Sequence, residues 1–339
     1  MPLITFNENG IYCERAGIYI DPWKPVDKAL ITHGHSDHAR WGSKYYLCTT
    51  SAEPVIRYRL GNEAVIESID YGKKLDINGV KFSFYPAGHI IGSAQIRAEY
   101  KGEVWVASGD YKVADDGVSE PFESIKCDHF ITESTFGLPV FDWAPQEETF
   151  AEINEWWAAN AAEGKVSVIG SYALGKAQRI INLVDNSIGE ILTHGAVEYT
   201  NKVLRKQGVK LKKTTKVDNS MHYNRFKGSL IIAPPSAFRS PWIRKFKDYS
   251  DASASGWVTI RGMRRRRATD RGFVLSDHAD WKGLNTAVKA TGANHIYVTH
   301  GYTHIYAKYL REQGYDAQVI ATEYVGDEVG EAVVSDVAE

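Results

Sequence analysis

Residues 33–38 read His-Gly-His-Ser-Asp-His, three imidazoles and a carboxylate in six positions, directly after the strand-like stretch Lys28-Ala29-Leu30-Ile31-Thr32. A lone histidine in such a place is most often packed or solvated. Four ligand-type groups this close repel one another on protonation and are costly to desolvate unless a cation sits among them, so the cluster points to bound metal. Three cysteines, Cys13, Cys48 and Cys127, are too far apart and too few to add a thiolate site or a disulfide framework. The donors are therefore nitrogen and oxygen.

Residues of this kind must be held by rigid elements. The first half of the chain reads as short strands over 11–20, 28–32, 80–84, 103–108 and 128–132. In the third of these, Val80, Phe82 and Phe84 alternate with polar neighbours, the period of a half-buried strand. The other four end on Asp21, His33, Asp110 and Glu133, which places chemistry on loops at strand ends. From Pro145 the texture changes. A helix is expected over 146–163, followed by a strand at 166–170, a helix at 175–186, a strand at 190–193, a helix at 196–207 and a strand at 229–233, a parallel βα alternation. The strand-then-ligand style returns after Arg271, with a helix near 281–291. The expected organisation is a discontinuous domain (1–144 and 268–325) interrupted by a cassette (145–267), with an acidic, poorly ordered tail at 326–339.

Length and composition agree with a folded protein of one large or two ordinary domains. The 339 residues are 43% hydrophobic, 24% charged and 12% aromatic, too apolar for general disorder. No apolar run approaches the roughly 18 residues that span a bilayer, and the start lacks a secretory pattern, so a cytoplasmic location without a membrane partner is expected. The net charge of −2 hides an asymmetry, because residues 316–339 hold seven acids and no Lys or Arg, leaving 1–315 at −2 + 7 = +5. That balance permits a nucleic-acid partner.

The His-x-His-x-Asp-His pattern resembles the signature of the metallo-β-lactamase superfamily. His89 in Ala-Gly-His-Ile-Ile-Gly-Ser, Asp110 in Ser-Gly-Asp-Tyr and Asp21 at an early strand end are similar to its next ligand, its bridging carboxylate and the acid that braces the ligand loop. Thr132-Glu133-Ser134-Thr135-Phe136-Gly137, Ser276-Asp277-His278-Ala279-Asp280 and Thr299-His300-Gly301 resemble the motifs of the β-CASP nucleases in their order, and residues 171–179 resemble the opening of the β-CASP cassette. The resemblance spans roughly 10–325. It implies an α/β fold, a metallo-β-lactamase αββα sandwich with an inserted α/β β-CASP domain. Asp21-Pro22, the stretch at 233–237, Ser-Pro-Trp at 240–242 and the compact length are most similar to the bacterial ligase-associated DNA exonucleases.

By this resemblance His33 and His35 hold one metal, Asp37 and His38 the other, with His89 and His300 as further ligands and Asp110 as the bridge. Five imidazoles and two carboxylates suit Zn²⁺ best, with Mn²⁺ or Fe²⁺ as alternatives. Two such ions, two aspartates and a hydroxide leave a site near about +1, which attracts a phosphodiester and lowers the pKa of the shared water. His278, oriented by Glu133, is expected to protonate the leaving group, and Asp37 to take part in catalysis. His194, His304, His129, His222 and His295 are read as structural.

The long separation of Asp110 from His300 argues for a roofed cleft rather than the open pocket of a small-molecule hydrolase. Arg261, Arg264, Arg265, Arg266, Arg267 and Arg271 are expected to neutralise phosphates. Lys176 and Arg179 at a helix start form a second phosphate candidate, and Phe238 and Trp242 among Arg239, Arg244, Lys245 and Lys247 a third, by stacking and charge. The expected activity is a two-metal DNA exonuclease of 5′ to 3′ polarity, acting in repair on single strands or duplex ends with an ATP-dependent DNA ligase and a helicase as partners. An RNA-processing nuclease of the same fold is the alternative, because a histidine at the position of His300 is typical of the RNA-acting branch.

Overall fold

The computed structural model describes residues 2–218, 220–260 and 269–323. The arginine run 264–267, Arg261 and the tail 326–339 lie outside the described residues. Among those described, no helix is long and apolar enough to cross a membrane.

Strands β1 (Thr5–Asn7), β2 (Gly10–Cys13) and β3 (Ile18–Ile20) run antiparallel. The single strand expected over 11–20 is two, because Gly17 at φ +67° turns the chain and bonds back to the Cys13 carbonyl. Strands β4 (Lys28–Leu30), β5 (Tyr45–Thr49) and β6 (Ile66–Ile69) extend this sheet in parallel. Helix α1 (Glu53–Leu60) connects β5 to β6 and lays Ile56 and Leu60 on Ala29, Tyr46 and Cys48. A meander of β7 (Leu75–Ile77), β8 (Val80–Pro86), β9 (Ala94–Tyr100) and β10 (Glu103–Ala107) follows, and β11 (His129–Ser134) pairs parallel to β10.

From Gln146 the chain alternates. It forms α2 (Gln146–Ala162), β12 (Val166–Gly170), α3 (Lys176–Leu183), β13 (Ile191–Thr193), α4 (Gly195–Lys206), β14 (Thr215–Lys216), β15 (Leu230–Ala233), β16 (Tyr249–Ala254) and β17 (Arg271–Phe273). These strands make an all-parallel sheet in the order β14-β13-β15-β12-β16-β17. The chain then gives α5 (Trp281–Thr291), β18 (His295–Gly301), α6 (Thr303–Glu312) and β19 (Asp316–Val319), and the last two strands join the meander sheet as β19-β18-β11-β10-β9-β8-β7.

Period-two burial explains the layering of the first unit. Val80, Phe82 and Phe84 of β8 and Trp105 and Ala107 of β10 face Ile11, Ile18, Ile20 and Leu30 of the other sheet. Val106, between them on β10, points the opposite way and packs with Leu284 and Val288 of α5 and Leu310 of α6. Helix, sheet, sheet and helix thus stack as an αββα sandwich. Each fully buried Phe contributes roughly 1.5–3 kcal/mol to holding the sheets together.

The inserted unit has its own cores on the two faces of its sheet, one around Ile153, Trp157, Ile180 and Ile232, the other around Val168, Ile231, Phe226 and Phe246. The chain divides at Asp142/Trp143 and at Ser276/Asp277. The second division falls later than the sequence suggested, because β17 is hydrogen-bonded to β16 and so carries 271–276 with the insert.

Candidate metal centre

The candidate ligands lie in the sandwich unit, His33, His35, Asp37, His38, His89 and Asp110 on loops after strands and His300 within the end of a strand. Pairing of β4 stops at Leu30, and the 33–38 loop follows three residues later; His89 sits between β8 and β9, Asp110 follows β10, and His300 is near the end of β18. Asp21 and His300 adopt left-handed backbone, φ +41° and +58°. Such conformations cost energy in non-glycine residues and persist only where the surroundings enforce them.

His33, His35, His89 and Asp110 converge so that one ligand atom of each lies within 4.8 Å of the others, and Asp37, His38 and His300 do the same. Asp110 joins the two sets. Its Oδ2 is 3.5 Å from His33 Nε2, 3.4 Å from His38 Nε2 and 3.8 Å from His89 Nε2, while its Oδ1 is 4.0 Å from His300 Nδ1. Asp37 Oδ2 is 3.8 Å from His38 Nε2 and 3.9 Å from His300 Nε2.

The outer ring atoms are held by the protein. Asp21 accepts from His38 Nδ1 at 2.7 Å and from the Thr32 amide at 2.8 Å, Thr32 Oγ1 lies 3.0 Å from His33 Nδ1, and His89 Nδ1 donates to the Asp277 carbonyl at 2.9 Å. These bonds turn the opposite nitrogens inward, as metal-binding imidazoles require. Burial, reinforced by the imidazoles of His38 and His35, holds His33 well below the usual imidazole range. Burial with His278 and His35 does the same to His89. Burial thus favours the neutral, ligand-competent form of both rings.

His38 differs: burial opposes its charge, but Asp110, Asp37 and Asp21 outweigh burial and hold it well above that range. For Asp110 burial is likewise outweighed, by His38, His300 and His278, which keep the carboxyl well below its usual range. The carboxylates thus demand positive charge at the centre. His33 Nε2 and Asp110 Oδ1 are buried with no hydrogen-bond partner among the described residues, which an arriving cation would satisfy. The donor set fits divalent metal.

Beside these groups, the carboxylate oxygens of Glu133 lie 2.8 and 3.0 Å from His278 Nδ1, and one of them also accepts from the Tyr111 amide at 2.8 Å. Glu133 sits inside β11 rather than past its end. Its register with β18 shifts between Thr132 and Ser134, a bulge that re-aims the side chain. The His278 ring centroid is 4.5 Å from that of His89.

One nucleic-acid expectation needs correction. Lys176 and Arg179 are buried; Arg179 spends its guanidinium on Gln146 Oε1 and on the Ser276 carbonyl at 2.7 Å, and Lys176 lies over the Tyr172 ring, so neither offers an open phosphate contact. Phe238 and Trp242 are half-buried: Trp242 makes T-shaped contacts with Phe246 and His194, and Phe238 lies against Gly170. Among the histidines read as structural, His194 caps α4, His222 caps a short turn, His304 lies on α6, and His129 stacks between Trp105 and His295. Thr32 and Arg59 went unnoticed in the sequence. Thr32 adjoins His33, which was a usable signal; Arg59, whose Nε donates to the Gly34 carbonyl at 2.7 Å, carried none.

The sandwich with an inserted parallel α/β unit is the metallo-β-lactamase architecture with a β-CASP type of insertion. A solved protein of unknown function from Enterococcus faecalis V583 shares the fold at a TM-score of 0.57 and 9% identity, over 87% of this chain and 79% of that one. No family model matches the chain. In sequence, 94% of it is similar, at 27% identity, to 31% of a protein named Probable DNA ligase from Opitutus terrae. Shorter matches are to Endoribonuclease YSH1 of Eremothecium gossypii (31% identity, 35% of this chain, 16% of that one) and to the RNase J-like protein of Methanocaldococcus jannaschii (28%, 49% and 45%). The chain spans less than half the length of these curated relatives.

Proposed function

We propose that the chain is a metal-dependent phosphodiesterase that degrades DNA from a strand end, 5′ to 3′, in repair alongside an ATP-dependent DNA ligase. The observation that carries the hydrolytic reading is Asp110, one carboxylate shared between two histidine-rich clusters. In this reading His33, His35 and His89 hold one divalent ion, Asp37, His38 and His300 the other, and Asp110 both, with Zn²⁺ the best fit to the donors. Bound there, the pair supplies Lewis acidity and an activated water. The chain's own residues do the rest. Asp21 and Thr32 fix the ring orientations of His38 and His33. Glu133 holds Nδ1 of His278, so that proton delivery to the departing oxygen goes through Nε2.

The DNA reading is supported by similarity along nearly the whole chain to a ligase-named protein, where the relatives named for RNA match half of it or less. Those relatives, with His300 in the ligand set, favour RNA processing as the second reading. The test uses single-stranded DNA and RNA of one sequence, labelled at each end in turn and incubated with the metal-loaded protein. DNA shortening from its 5′ end, lost in D110N, is expected. Equal or faster RNA cleavage would replace DNA with RNA, and no cleavage of either would end the nuclease reading.

A further inference from the structure

Helix α1 is remote in sequence from every ligand except the 33–38 loop, yet its last turn reaches that loop. Arg59 donates from Nε to the carbonyl of Gly34, the residue between His33 and His35. This uses one of the five donors of a guanidinium. Neither Nη nitrogen of Arg59 has a hydrogen-bond partner among the described residues. Arg57, two residues earlier on the helix, shows the contrast: its nitrogens are taken up by Glu53 and by the carbonyls of Ala64 and Ile66. Arg59 is half-buried, and although burial pulls against its charge, the Asp37 carboxylate acts in the opposite direction.

Holding one carbonyl needs only one donor. A guanidinium is planar and rigid, so anchoring Nε also fixes where the two Nη groups lie, a geometry that suits two oxygens of one phosphate. The Asp37 carboxylate favours the charge of Arg59, and a further anion would offset its burial. Consecutive phosphates of a nucleic-acid strand supply that anion.

Resting on the nuclease reading above, we infer that Arg59 is a substrate-binding residue. Its Nη pair takes the oxygens of a strand phosphate, while Nε keeps the Gly34 carbonyl and with it the spacing of His33 and His35.

The test is equilibrium binding of a fluorescent, hydrolysis-resistant phosphorothioate single strand to the metal-loaded protein, followed by anisotropy between about 50 and 200 mM salt. R59A removes both functions. R59Q keeps an amide donor for the Gly34 carbonyl and removes the charge, so it serves if R59A folds poorly, and metal content is measured on each. Both variants should bind about tenfold more weakly, and the slope of log affinity against log salt should flatten by about 0.7, one phosphate contact on a single strand. Wild-type affinity and slope in R59Q would overturn the inference and leave Arg59 a brace for the loop, whatever its metal content. If the unaltered protein neither binds nor cleaves the strand, the nuclease reading itself has failed, a result distinct from the first.

Discussion

Asp21, which has a ligand-type atom within 4.8 Å of those of His33 and His38, governs the site through its hydrogen bonds. Its oxygens accept from the Thr32 amide, from Thr32 Oγ1 and from His38 Nδ1, which locks the tautomer of one ligand and the backbone of the loop that bears the rest. D21N should lower metal affinity about 10- to 100-fold while leaving the fold intact; competition with a chromophoric chelator measures it, and an unchanged affinity would reduce Asp21 to a loop contact. His278 and Glu133 make a different prediction. If His278 protonates the leaving group, H278A should slow cleavage of an ordinary strand by about 10²–10⁴-fold with metal content unchanged. A p-nitrophenyl phosphodiester, whose leaving group needs no proton, should be hardly affected, and equal loss on both substrates would refute that role. The contiguous cluster 33–38 was legible because six adjacent residues cannot avoid one another. Arg179 was misread because sequence displays a charge but not what consumes it: its partners lie 33 residues before it and 97 after it.

Elements position these residues through turns as much as through strands. Gly88 and Gly109 each precede a ligand and have φ of +72° and +57°. A Cβ on Gly88 would lie 2.1 Å from the Lys112 carbonyl oxygen, and one on Gly109 would lie 2.7 Å from Thr32, the residue that orients His33. Gly88→Ala should therefore cost about 1–3 kcal/mol of stability through backbone that cannot give way, read from the denaturant midpoint. An unshifted midpoint would mean that the 87–89 turn relaxes freely. The α/β alternation after Pro145 could be read from sequence because its apolar runs are short, buried on both faces and separated by amphipathic helices; β12 spans the expected 166–170, and α2 ends one residue short of its expectation. Helix α1 was not foreseen. Its apolar contacts are made by Val55, Ile56 and Leu60 alone, among Arg57, Tyr58 and Arg59, a pattern too sparse to announce a face.

Over the whole molecule, the proposed ligands run from His33 to His300, so a pair of ions would tie the loop after β4 to the end of β18. Among the described residues, the inserted unit contributes none of the clustered ligands, and its two cores are built without them. Metal binding and unfolding should accordingly be linked in one unit and not directly in the other. An ion present at a thousand times its dissociation constant stabilises the state that binds it by about 4 kcal/mol. Stripping metal with a chelator removes that contribution and exposes the carboxylates of Asp37 and Asp110 to a centre balanced only by protonated imidazole. Hydrogen exchange followed by mass spectrometry should then show lost protection in β3, β4, β10, β11 and β18, with β12 to β16 unchanged. D110N, which loses the shared ligand, should show the weaker protection from the start and respond little to chelation. Uniform loss across both units would mean that the ions stabilise the chain as one cooperative body, and no loss anywhere would mean that the imidazoles and carboxylates are satisfied by one another without them.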